Sequence, residues 1–289
     1  MKRILVLAIA GVLCVELAGC RNVDTDRSVN APPAANPSAA QTQAIIKLAS
    51  SSSTATVLKI LAEAYQAKNP SVKIEFISNS QSGGAIGVVE NNIADLAGIS
   101  HKLKPEEDNG RVQSRSLAKD ALMVATHSSV TGVTDLTTEQ LKAIYAGRMT
   151  NWKELGGPDE DIIVLDRPED ESAKKLLRQY YLGTEPTTTQ AIILNWEGEL
   201  IESLQSTPYS IGVFSLAYSL IEQLPVNRLS LNGIAPSEET LTSDRYQMVR
   251  SLGLVWQKTP SAATQNFIDF IFSKEGTKVL QDSHFVPVR

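Results

Sequence analysis

The chain has 289 residues, 20% of them charged and 42% apolar, with a formal net charge of −5 at pH 7. An acidic balance of this kind excludes nucleic-acid binding by bulk electrostatics, so an anionic ligand must be held by local geometry. Two cysteines, Cys14 and Cys20, and three scattered histidines, His101, His127 and His284, show neither a disulfide framework nor zinc-ligand spacing.

Residues 1–19 read as a signal peptide. Lys2 and Arg3 precede an apolar run from Ile4 to Val15, shorter than the roughly 20 residues that span a bilayer. The run ends in Leu17-Ala18-Gly19-Cys20, which resembles the bacterial lipoprotein box, in which the cysteine becomes the lipidated first residue. An ordinary signal peptide that happens to hold a cysteine is the alternative. Loss of Lys2, Arg3 and Glu16 leaves 25 basic and 31 acidic residues, a formal charge of −6. Residues 20–43 are rich in Ala, Pro, Asn and Ser with few large apolar side chains, the composition of a flexible tether. About 245 residues remain, enough for two lobes.

From Ala44 strands and helices alternate. Ile45–Leu48 reads as a strand, Ser50–Thr54 as a polar loop, and Val57, Leu58, Leu61, Ala62 and Tyr65 as a helical face ending near Asn69-Pro70. Val72, Ile74 and Phe76 alternate as a second strand. Ser78–Gly84 opens a helix through Ile86 and Val89, and Ile93–Ile99 is a third strand ending at Ser100-His101. After Asp120 the apolar run Ala121–Ala125 leads to Thr137, an N-cap for the helix through Leu141 and Tyr145. Ile162–Leu165 reads as a buried strand, Arg167-Pro168 as a turn, and Asp170, Glu171 and Ser172 as a first helical turn, with a helical region to about Ser206. Strands at Ile211–Phe214 and Leu252–Trp256 flank a polar, less regular segment. A helix over Ala262–Phe272 and the run Phe285–Val288 close the chain. This alternation predicts an α/β fold with mostly parallel sheets, in which ligands bind beyond strand C-terminal ends.

Four loops at such ends carry hydroxyls or cations. Ser51, Ser52, Ser53 and Thr54 are either a solvated loop or hydroxyl donors; Ser82 and Gly83 are a turn or a close backbone approach to an anion. Arg167 offers a planar fork to an oxyanion or pairs with Asp166 or Glu169. His101 is an exposed residue or a donor. Glu171 is a solvent-facing helix-start acid favoured by the dipole or an acceptor for a protonated ligand oxygen. Trp152 and Trp196 are read as packing residues. Gly-x-Ser-x-Gly does not occur; Ser172-Ala173-Lys174-Lys175 spells Ser-x-x-Lys, but the Lys258-Thr259 that would begin its companion motif is followed by Pro260. An enzyme, cofactor or metal is not expected.

The segments TDLTTEQLKAIYAGRMTNWKELGGPDEDIIVLDRPEDESAKKLL, SGGAIGVVENNIADLAGISHKLKPEE, YSIGVFSLAY and FIDFIFSKEGTKVLQDSHFVPV together resemble the phosphate-binding components of bacterial ABC importers, the PstS-like group of type 2 periplasmic binding proteins. The resemblance runs from about Ile45 to Val288. It implies a two-lobed α/β fold with a ligand cleft between lobes, lobe one being 44–119 plus 215–289 and lobe two 120–214. It implies an extracytoplasmic, lipid-anchored monomer that captures phosphate or a similar tetrahedral oxyanion for an ABC permease, touching the membrane only through Cys20. A sensor feeding a signalling receptor is the alternative, and a Ser-x-x-Lys acyl-enzyme a distant one. The implied ligand residues are Ser51, Ser52, Ser53, Thr54, Ser82, Gly83, Ser100, His101, Arg167, Glu171 and Ser172. Two departures stand out: His101 occupies the place of a family Asp or Arg, and Glu171-Ser172-Ala173 replaces Ser-Gly-Thr. A carboxylate at 171 would accept the proton of hydrogen phosphate and reject sulfate, which carries none, so acceptor and donor would have changed sides of the cleft.

Overall fold

A computed structural model describes residues 43–288; the stretch read as a signal peptide, Cys20 and all but the last residue of the stretch read as a tether lie outside these residues. The first strand, β1 (Ala44–Ser51), buries Ile46 and Leu48 on one face, the two-residue period of a strand. Helix α1 (Ala55–Lys68) turns Val57, Leu58, Leu61, Ala62 and Tyr65 inward at helical spacing and stops at Asn69, ahead of Pro70. Then β2 (Val72–Ser80), α2 (Ser82–Glu90) and β3 (Leu96–Ile99) follow. β1 lies between β2 and β3, parallel to both.

β4 (Val112–His127) is the strand around which the molecule divides. Further along come β5 (Asp135–Leu136), α3 (Thr138–Tyr145), β6 (Ile163–Asp166), α4 (Ser172–Leu177) with a π-helical continuation over Arg178–Leu182, and β7 (Ile192–Ile193). The chain continues through α5 (Glu197–Ser206), β8 (Ser210–Ser215), α6 (Leu216–Ile221), β9 (Val226–Leu231), α7 (Glu238–Thr242) and β10 (Val249–Gln257). It closes with α8 (Ala262–Ile271), α9 (Lys274–Asp282) and β11 (Val286–Pro287). From Val112 to Ala121, β4 pairs with β10; from Leu122 onward it pairs with β8 and β9. One strand thus serves two cores.

The first core gathers Leu48, Leu58, Leu61, Leu96, Leu254 and Phe267, with a smaller layer under α2 formed by Ala49, Ile86, Val89, Ile99 and Val255. The second gathers Leu122–Ala125, Leu141, Ile144, Trp152, Leu165, Leu177 and Phe214. Each fully buried Leu, Ile or Phe stabilises its core by roughly 1.5–3 kcal/mol. No helix among the described residues is long and apolar enough to cross a membrane.

The structure departs from the sequence expectation in four places. The sheet is mixed, not mostly parallel, because β10 runs antiparallel to β3 and β4, and β4 antiparallel to β8, β9 and β11. The helical region predicted to Ser206 is interrupted: Gly183 takes φ +60°, Pro186 follows, and Ile192–Ile193 adds an edge strand to β6. The polar segment after Ser215 contains α6, β9 and α7. Leu229, Leu231, Leu241, Tyr246 and Met248 from this segment pack in the second core, because β9 pairs with the far half of β4; the sequence places them in lobe one. Finally, Trp196, read as a packing residue, stays 40% exposed, whereas Trp152 is fully buried as expected, its indole Nε1 donating to Tyr209 O at 2.8 Å.

Candidate functional site

The β1–α1 loop is tied from within. Thr54 N and Oγ1 both donate to Ser51 O, at 3.0 and 3.1 Å, and the Ser51 and Thr54 hydroxyls lie 3.0 Å apart. Both side chains are buried. Gly98 of β3 makes this possible, since a Cβ there would lie 2.3 Å from Thr54 Oγ1 and 2.5 Å from Leu58 Cδ1. Of the four predicted hydroxyl residues, Ser51 and Thr54 therefore brace the loop, and the Ser52 and Ser53 hydroxyls take no part in that bracing. Ser52 Oγ is buried without a partner. Ser53 Oγ crosses to the second half of the molecule, 2.9 Å from Ser172 Oγ and 3.4 Å from Glu171 Oε1.

Across from it, the β6–α4 loop sorts its charges. Asp166 Oδ1 accepts from Arg167 N at 2.8 Å, and its Oδ2 pairs with the buried Lys174, whose Nζ also donates to Thr187 Oγ1 at 2.8 Å. Glu169 takes Arg178 Nε and Nη2 at 2.5 and 2.6 Å, and the hydrogen bond from Arg178 holds its carboxyl below the ordinary value. Asp170 is exposed. Two of the loop's acids, Asp166 and Glu169, are thereby neutralised, while Asp170 lines a neighbouring cavity. Arg167 pairs with neither Asp166 nor Glu169 through its side chain. It is 3% exposed, donates through Nη2 to Asn195 O at 3.2 Å, and lies 3.4 Å from Glu171 Oε1. Its Nε has no partner.

Glu171 is the N-cap of α4, not part of its first turn, because a β-region backbone lets its carboxylate reach the orphan amides. Oε2 accepts from Ala173 N at 2.6 Å and Oε1 from Ser172 Oγ at 3.2 Å. At 1% exposure it does not point to solvent. Ser53, Arg167, Glu171 and the half-buried Ser172 are thus brought into one group.

The remaining predicted residues form a neighbouring wall. Ser82 opens α2, its Oγ 3.0 Å from Ser100 Oγ and accepting Ser100 N at 3.0 Å. A Cβ at Gly83 would meet nothing within 4 Å, so packing does not require the glycine. His101 Nε2 is 2.8 Å from Glu107 Oε2. Burial alone would raise the Glu107 carboxyl, but hydrogen bonds with His101 and from Lys104 N hold it below its ordinary value. His101 is committed to Glu107, and no contact joins it to Arg167 or Ser53. These residues line a cavity of about 340 Å³ that also touches Asp170, Ser172 and Lys175. A second cavity of about 270 Å³, lined by Ser52, Ser53, Trp196, Glu197, Tyr218 and Arg250, lies against the other loop. Ser53 lines one cavity and Ser172 the other.

A buried triad beside this group was not anticipated from the sequence. Arg250 of β10 reaches Asp120 of β4, Nη2 to Oδ2 at 2.8 Å, and Glu197 at the start of α5 at 3.1 Å. Glu197 Oε1 also accepts Ser215 N at 2.8 Å. Burial pushes the Asp120 carboxyl up, with Arg250 only partly opposing it. Burial also works against the Arg250 charge, yet Glu197 and Asp120 hold its protonated form above the ordinary range. The available signal was a charged residue inside each of two buried strand patterns, Lys119-Asp120-Ala121 and Val249-Arg250-Ser251; nothing in the sequence paired them. Among the described residues no group of three or more His, Cys, Asp or Glu could hold a metal ion.

This geometry can be set beside known proteins. The phosphate-binding protein PstS of Borreliella burgdorferi is 28% identical over 255 residues, 85% of this chain and 90% of that protein. PstS of Bacillus subtilis is 24% identical over 99% of this chain and 94% of its own length. A solved structure from Clostridium perfringens, described as a phosphate ABC transporter substrate-binding protein with bound phosphate, superposes with TM-score 0.74 at 28% identity. It is covered in full, against 85% of this chain. The family model described as the PBP superfamily domain matches residues 35–275. With two cores sharing β4 and a cleft whose two faces meet at Ser53 and Ser172, the chain belongs to the PBP superfamily.

Proposed function

We propose that this protein captures phosphate, or a tetrahedral oxyanion like it, for delivery to an ABC permease, without chemistry on the ligand. One observation carries the reading. Arg167 Nε and Ser52 Oγ are buried donors without partners, set on the two loops that meet across the cleft. Leaving a buried donor unpaired costs about 1–3 kcal/mol, and an oxyanion taken between the loops would satisfy both. Ser53 and Ser172 supply further hydroxyls, and Ser82, Gly83, Ser100 and His101 form the adjoining wall. Ser51 and Thr54 act by shaping their loop. The relatives named phosphate-binding protein and the phosphate-bound structural neighbour support the same ligand.

The division of the cores supports lobes of 44–119 plus 250–289 and of 120–249, joined where β4 and β10 cross. In keeping with the sequence, the protein is extracytoplasmic, anchored through Cys20 and monomeric. Ser172 serves as a hydrogen-bonding hydroxyl; its partners are Glu171 and Ser53, not a lysine.

Glu171 gives the reading its selectivity. A carboxylate accepts hydrogen bonds and cannot donate one, so it matches a ligand oxygen that still carries a proton. Calorimetric titration with phosphate and with sulfate tests this. The wild type binds phosphate and not sulfate, and Glu171→Gln narrows the difference. Unchanged affinity and selectivity in Glu171→Gln would remove the carboxylate from the ligand set.

A further inference from the structure

Glu171 occupies the point on which the donors converge. Oε1 accepts from Ser172 Oγ at 3.2 Å and Ser53 Oγ at 3.4 Å and lies 3.4 Å from Arg167 Nη2, while Oε2 accepts from Ala173 N at 2.6 Å. Three of these donors come from its own loop. The fourth, Ser53, comes from the β1–α1 loop on the opposite side of the cleft. A capping acid needs only the amide at the helix start; it has no need of a hydroxyl from another loop. A carboxylate offers about four lone-pair directions, and here four donors surround it.

Arg167 supplies an independent observation. It is 3% exposed, and although Nη2 reaches Glu171, its Nε has no partner. A guanidinium engaged fully by a carboxylate makes two parallel bonds. This one keeps a buried donor in reserve.

We infer that Glu171 stands in for the oxyanion in the ligand-free protein, bridging the two loops and passing Ser53, Ser172 and Arg167 to the ligand as it binds. The inference rests on the phosphate reading. Only hydrogen bonds change in the exchange. Ligand oxygens take the two hydroxyls and the guanidinium, and the proton of hydrogen phosphate turns to the freed carboxylate oxygen. Binding is then an exchange of hydrogen-bond partners between the carboxylate and the ligand.

Hydrogen–deuterium exchange of the ligand-free protein tests this, read on peptides covering residues 50–58 and 168–177. Glu171→Ala speeds exchange in both segments ~10- to 100-fold, the range implied by losing charge-assisted hydrogen bonds. Ser53→Ala breaks the same bridge from the other side and speeds residues 168–177 as well, so the result does not depend on one variant folding. Sodium acetate, a free carboxylate, slows exchange in Glu171→Ala toward wild type, and sodium chloride at equal ionic strength does not. The inference is overturned if ligand-free wild type exchanges as fast as the variants, or if acetate leaves Glu171→Ala unchanged. If phosphate gives no binding heat and slows exchange in no protein, the phosphate reading fails first and the stand-in role with it.

Discussion

Arg250 and Asp120 face each other across β10 and β4, Nη2 2.8 Å from Oδ2, two residues before Leu122, where β4 takes β8 as its partner in place of β10. Both are buried, and Glu197 closes the triad from α5. The strand crossing that joins the two cores is therefore pinned by a buried arginine shared between two acids. A buried cation with two carboxylates is asymmetric. Arg250→Met strands both acids and lowers unfolding free energy by about 3–5 kcal/mol. Asp120→Asn leaves Arg250 paired with Glu197 and costs less than half of that. Denaturant unfolding of the two variants checks the order; equal losses would mean that the triad does not hold the crossing.

Gly98 is required for space. An alanine methyl would meet Thr54 Oγ1 at 2.3 Å and Leu58 Cδ1 at 2.5 Å, so α1 and the Ser51–Thr54 loop must shift together. Gly98→Ala is expected to cost about 1–3 kcal/mol and to weaken phosphate binding in the same variant. Thermal melts and calorimetry on one preparation measure both. A stability loss with unchanged affinity would separate the loop brace from the site.

The wall beside the site titrates in acid. Glu107 has its carboxyl held below the ordinary 4.5 by His101 and Lys104 N. A depressed carboxyl stabilises the fold above its unfolded pKa, and that contribution fades as pH falls through the folded one. Glu107→Gln should therefore cost about 0.5 kcal/mol at pH 6, as befits a partly exposed pair, and less at pH 2. Melting curves at the two pH values decide it, and a cost that persists undiminished in acid would place the role of Glu107 in packing instead.

What could be read from the sequence followed from periodicity and loop chemistry. The face Val57, Leu58, Leu61, Tyr65 of α1, the N-cap Thr137, whose side chain accepts from Gln140 N, and the alternation in β1 and β2 each carry a local signal strong enough to place an element. Short pieces such as β7, β9 and α7 carry too few residues to show a period, and their burial depends on partners distant in sequence. The oxyanion loops were visible as hydroxyl clusters at strand ends. That Ser52 and Ser53 would face the cleft while Ser51 and Thr54 braced the loop depended on Gly98, 44 positions from Thr54 in the chain. Asp166, Glu169, Asp170 and Glu171 set four carboxylates around Arg167, an obstacle to anion binding. The folded chain removes part of it, because Lys174 and Arg178 take Asp166 and Glu169. The exposed Asp170 lines the adjoining cavity, and Glu171 stays buried in the site. Its four donors could not be read from its neighbours in sequence, since one of them, Ser53, lies 118 residues away.

Calorimetric titration of phosphate into the purified protein and its Arg167→Lys variant tests the central claim most directly. Lysine keeps the charge but removes the Nε donor and the planar fork. The wild type should give saturable one-site heat, and the variant should bind ~10- to 100-fold more weakly while melting near the wild-type temperature, the loss expected for charge-assisted hydrogen bonds. No heat with wild type, or equal affinity in Arg167→Lys, would contradict the assignment of this cleft as the oxyanion site.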